Sequence, residues 1–151
     1  MKYYQAQTVN SVACCLSCAL NRLTTLPENS LLETAKHSLS TAVFLMDEYY
    51  RTWHSIIWIK STQITKKRVQ EKLNNLAFDA YTAFLKATQF LDLYVDSQWD
   101  KEQRGQSVEP PPPWWHEMME SLQVAESCFD NEHRHEILGK QLHLFETGTS
   151  N

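Results

Sequence analysis

The sequence predicts an all-α fold: an antiparallel four-helix bundle with a shorter first helix and a Pro-rich loop before the last helix. Three observations carry this. Apolar residues recur at spacings of three and four along most of the chain, the period of helices that bury one face. Only three glycines occur in 151 residues, too few for the positive-φ turns of a β-meander. Four helix-length stripes with two short connections and one long one bury their faces most simply side by side, each antiparallel to the next. At this length a single domain, 1–151, can hold a core without disulfides or a structural metal.

Each element has its own signal. Val9, Val12, Leu16, Ala19 and Leu23 form the apolar stripe of a first helix over about 4–23. A turn follows at 24–29, and Ser30-Leu31-Leu32-Glu33 reads as a capping box in which the Ser30 hydroxyl accepts from the Glu33 N–H. The second helix carries Leu32, Ala35, Leu39, Ala42, Met46, Tyr49, Trp53, Ile56 and Ile57 on one face, out to about residue 60. Ser61 to Thr65 is the only break before the next stripe, since Ser and Thr disfavour helix interiors and can cap; the competing reading is one continuous helix over 31–98. The third helix, about 66–98, buries Val69, Leu73, Leu76, Ala80, Ala83, Ala87, Leu91 and Tyr94, and its alanine seam admits a close neighbour. Residues 99–113 lack a periodic pattern and end in Pro110 to Pro113, with Pro113 suited to the first position of the fourth helix. That helix places Trp115, Met118, Met119, Leu122, Ala125, Phe129, His133 and Ile137 inward, and 147–151 read as a frayed tail.

Composition narrows the function. Fourteen Lys and Arg against eighteen Asp and Glu give a net charge of −4, so the chain is not a polycation that coats nucleic acid or an anionic membrane, and any such binding is local. The glycines at 105, 139 and 148 are too far apart for a phosphate-cradling or dinucleotide loop. Cysteines at 14, 15, 18 and 128 read as reduced thiols, which points to the cytoplasm. Val12-Ala13-Cys14 loosely resembles a lipoprotein cleavage site, but Ser11 replaces the expected apolar residue and Gln5, Gln7 and Asn10 interrupt any signal core. No run reaches the roughly 18 apolar residues of a membrane span, and a soluble protein with no membrane partner is expected.

Four constellations carry chemistry. Cys14, Cys15, Cys18 and Cys128 are thiolate zinc ligands in type, yet counted by helix rise from the end holding the first turn they sit at about 14, 8 and 21 Å for Cys14, Cys18 and Cys128. Small buried cysteines on an apolar face explain them better. Glu132 and His135 have the i, i+3 spacing of di-iron bundles, and the same count brings Asp47, His54, Asp79 and His133 to their half of the bundle; only the last helix supplies such a pair, which leaves the ligand set incomplete. Lys60, Lys66, Lys67, Arg68 and Lys72 gather five cations in thirteen residues. The plain reading is a solvated face, but cations in the first turn of a helix oppose the macrodipole, so helix stability does not account for them. With Trp53 and Trp58 nearby they suit a phosphate backbone or an acidic partner. Finally, Pro110 to Pro113 followed by Trp114 and Trp115 contains a P-x-x-P spacing; a stiff spacer anchored by two tryptophans fits it better.

These readings converge on a non-catalytic binding protein, a small subunit or adaptor of a larger assembly, nucleoprotein assemblies included. Its partner would be another protein or a second copy, or nucleic acid through the local basic patch. The surplus of aromatics, Trp53, Trp58, Trp99, Trp114 and Trp115 among them, supports a contact surface. No cofactor is expected, and no Ser-His-Asp order or nucleophile elbow is present. The alternative is a metal-binding bundle protein or enzyme using Glu132, His135 and His54.

Overall fold

The computed structural model describes residues 6–57 and 63–129. Among the described residues there are four helices and no strand: α1 (Ala6–Leu23), α2 (Ser30–Ile57), α3 (Gln63–Gln103) and α4, helical over 115–129. α2 packs against both α1 and α3. α4 completes the bundle between α3 and α1. Tyr81 stacks on Phe129 with ring centroids 5.2 Å apart, and Tyr94 meets Trp115 at 5.6 Å, so α4 descends as α3 rises. On its other side Arg22 pairs with Glu117 at 3.9 Å, and the Cys15 thiol donates to the Ser121 carbonyl at 3.6 Å. The result is an antiparallel four-helix bundle with α1 and α3 on the diagonal. The start of α2 and the end of α3 line one groove through Leu31, Leu93 and Asp96, which excludes a continuous helix over 31–98.

The core follows the stripes. Val9, Val12, Leu16, Ala19 and Leu23 of α1 are buried, as are Leu32, Ala35, Leu39, Ala42, Met46 and Tyr49 of α2. Fully burying a Leu or Phe contributes about 1.5–3 kcal/mol. α3 buries a wider arc than its predicted stripe, adding Ala77, Tyr81 and Phe84 to Leu73, Ala80, Ala87 and Leu91, because it faces two neighbours. Its alanine seam is consumed inside the monomer: Ala80 and Ala87 are buried in the core, so the close neighbour the seam admits is another helix of the same bundle. Met118, Leu122, Ala125 and Phe129 form the buried side of α4. His133 and Ile137, the frayed tail 147–151 and the two other glycines lie outside the described residues.

Helix ends differ from the sequence expectation in instructive ways. α1 ends without glycine: Thr24 and Thr25 donate their hydroxyls to the Asn21 and Arg22 carbonyls at 2.6 and 2.7 Å, satisfying two of the last acceptors. The cap of α2 is Asn29, one residue earlier than the capping box placed it. Its side-chain oxygen accepts from the N–H groups of Leu31 at 2.9 Å and Leu32 at 3.4 Å, while Glu33 N–H donates to the Asn29 carbonyl at 2.8 Å. Ser30 is therefore inside the helix, and Glu33 pairs with Lys36 at 2.6 Å instead of reaching back. Asn and Ser rank nearly equally as caps, so propensity alone did not separate them.

α3 starts three residues earlier and ends five later than its apolar stripe suggests, so 99–103 is helix and not loop. Gly105, at φ 76°, closes it. Its N–H donates to the Glu102 carbonyl at 3.0 Å and that of Gln106 to the Lys101 carbonyl at 3.0 Å, the paired bonds of a Schellman end. Pro113 stands two residues before α4 begins at Trp115 and not at its first position as expected; it is the second residue of a turn in which Trp115 N–H donates to the Pro112 carbonyl at 3.0 Å.

Candidate functional site

The basic cluster lies at the start of α3. With the helix beginning at Gln63, only Lys66 stands in the first turn, and Lys67 and Arg68 fall in the second. The macrodipole conflict is therefore smaller than the sequence suggested. Lys66, Lys67, Arg68 and Lys72 are all exposed, and none of them forms an ion pair among the described residues. Arg22, Lys36 and Arg51 each have a carboxylate partner. Arg68 and Lys72, four residues apart, share one side of the helix, while Lys67 and Lys66 stand about 100° and 200° around it from Arg68, so the four cations encircle the first turns of α3 rather than share one face. Residues 60–72 hold five cations and one carboxylate, net +4, while the remainder of the chain carries −8. Lys60 and Trp58 lie outside the described residues. Trp53 is half-buried, packs against the core and stacks on Tyr49 at 6.4 Å, so much of its ring is committed to the fold.

The aromatics at the far end divide in two. Trp114 and Trp115 are half-buried against the core, their rings 6.1 Å apart, with Trp115 against Tyr94. They hold the proline run onto the bundle. Burial, and secondarily the Glu109 carboxylate, push the Tyr94 hydroxyl above its ordinary pKa. Trp99 remains 60% exposed and offers its ring to solvent.

The cysteines correct the expectation of buried thiols. Cys14 and Cys18 each stand two residues from buried Leu16, about 200° around the helix, and are exposed; Cys128 is exposed as well. Cys15 alone is half-buried, and burial, then the neighbouring Cys18, pushes its thiol above the ordinary range. It borders an open groove of about 720 Å³ between α1 and α4, lined by Val12, Glu117, Glu120, Val124 and Cys128 among others. The sequence reading did not find this groove, because it depends on the register between two helices distant in the chain.

No group of three His, Cys, Asp or Glu side chains is placed to hold a metal among the described residues. His54 is exposed, with its ring edge-on to Tyr50 at 4.3 Å. Asp47 and Asp79 are also exposed, so the level at which helix rise placed these three groups does not turn them toward a common centre. Glu132, His133 and His135 lie outside the described residues. No helix among the described residues is long and apolar enough to cross a membrane.

Comparison of the chain with protein-family models, curated proteins and solved structures finds no match.

Proposed function

We propose that this chain is a non-catalytic helical-bundle binding protein, a small subunit or adaptor of a larger assembly, whose basic patch on α3 contacts phosphate groups or an acidic partner surface. One observation carries the reading: exposed Lys66, Lys67, Arg68 and Lys72 crowd the first turns of α3 without ion-pair partners among the described residues, on a chain otherwise rich in carboxylates. Four cations kept in water and out of the bundle's own ion pairs cost little to the fold and give a locally positive field. Cytoplasmic residence fits the unpaired thiols at 14, 15, 18 and 128.

Fluorescence anisotropy with a labelled single-stranded oligonucleotide at low ionic strength tests the reading. The triple substitution Lys66→Ala, Lys67→Ala, Arg68→Ala should remove most of the affinity while leaving the helical circular dichroism unchanged. Affinity equal to wild type would show that the anion is held elsewhere or not at all.

A further inference from the structure

We propose that Cys14 and Cys18 of α1 form a binding site for a single copper(I) ion, held between their two thiolates in linear coordination. The pair lies in the middle of a helix that runs unbroken from Ala6 to Leu23, and the helix aligns it. Cys18 follows Cys14 by four residues, one turn along and about 40° around the axis. Both are exposed and free of disulfides. At this spacing the two β-carbons stand about 5–6 Å apart. A disulfide needs about 3.5–4.5 Å between the same atoms, so α1 in its helical form keeps the two sulfurs from bonding to each other. A bridging ion closes the gap. Two metal–sulfur bonds of about 2.3 Å laid end to end separate the sulfurs by about 4.6 Å, which small rotations about the two Cα–Cβ bonds supply.

The surroundings select the ion. From Ala6 to Asn21, α1 contains no Asp, Glu, His, Lys or Arg, so a hard cation that needs oxygen ligands finds no carboxylate on this helix. Thiolates prefer soft ions, copper(I) and zinc among them. Structural zinc takes four ligands, and no group of three His, Cys, Asp or Glu side chains is placed to hold a metal among the described residues. Copper(I), a closed-shell ion, is satisfied by two. Cys15 does not join the pair: it is half-buried, about 100° around the helix from Cys14, and its thiol donates to the Ser121 carbonyl at 3.6 Å. Cys128 stands on another helix, beside the α1–α4 groove. Binding involves no change of oxidation state. Each thiol gives its proton to solvent, each sulfur donates one lone pair to the ion, and the product carries a single negative charge. The site shares no residue with the basic patch of α3, so it stands apart from the anion-binding reading.

Anaerobic titration of the full reduced chain with copper(I), in competition with the chelator bicinchoninate, tests the site. Wild type should withdraw one copper per chain from the chelator. Cys14→Ser and Cys18→Ser should each abolish that transfer, whereas a variant with both Cys15→Ser and Cys128→Ser should match wild type. Serine at 15 keeps a hydroxyl donor for the Ser121 carbonyl, so the bond between α1 and α4 persists in that variant. Peptide mapping gives a second readout without any substitution: one equivalent of copper(I) should shield Cys14 and Cys18 from iodoacetamide and leave Cys128 as reactive as before. A wild-type chain that takes no copper from the chelator, a Cys14→Ser or Cys18→Ser variant that still does, or shielding that falls on Cys15 and Cys128 instead, would overturn the proposal.

Discussion

At the scale of single residues, the bundle uses some side chains for its core and leaves others in water. Phe84 is wholly buried, and Phe84→Ala should cost about 3–5 kcal/mol through lost transfer energy and the cavity left behind, measurable by urea denaturation. The three exposed cysteines should alkylate with iodoacetamide before Cys15, whose thiol is half-buried and held protonated; peptide mapping over a time course reads the order. Cys15 and Tyr94 both have pKa values raised by burial from ordinary values of 9.0 and 10.0. A raised acid favours its neutral form in the folded state. The stability it contributes is complete below its ordinary pKa and is lost as pH rises through the folded value. Denaturation midpoints should therefore begin to fall as pH passes 9; a midpoint rising over that range would contradict both assignments.

Helices and their ends show what was legible in the sequence and what was not. The inward residues of α1 and α2 were readable because one apolar stripe at the helical period maps onto one buried face. The apolar stripe understates the length of α3: it fades near Tyr94, while Trp99 to Gln103 contain no residue that stops a helix. The true stop signal was Gly105, the kind of residue that closes a helix at positive φ. A Cβ at that position meets nothing within 4 Å, so Gly105→Ala should cost on the order of 1 kcal/mol, from backbone strain alone. At α2 the neighbouring cap candidates Asn29 and Ser30 could not be ranked by residue type. Asn29→Ala should cost about 1 kcal/mol and Ser30→Ala less, because Asn29 holds the free N–H groups of Leu31 and Leu32. Thermal melts of the two variants decide between the caps. The basic cluster is visible as composition, but the α1–α4 groove needs the register and facing that only packing supplies.

For the whole molecule, positive charge gathers in residues 60–72, net +4, on a chain that is net −8 elsewhere. Helix surfaces carry most of what is exposed, and residues 104–114 form the longest irregular segment among the described residues, with Trp114 and Trp115 tucked against the core. Such a molecule offers rigid helical faces for recognition, and its strongest positive field lies where α3 begins. Salt dependence measures that field most directly. If Lys66, Lys67 and Arg68 each neutralise a phosphate, the logarithm of affinity for single-stranded oligonucleotide should fall with the logarithm of salt at a slope steeper by about 2 in wild type than in the triple alanine variant. That difference in slope is the expected result. Equal slopes for the two proteins would contradict it.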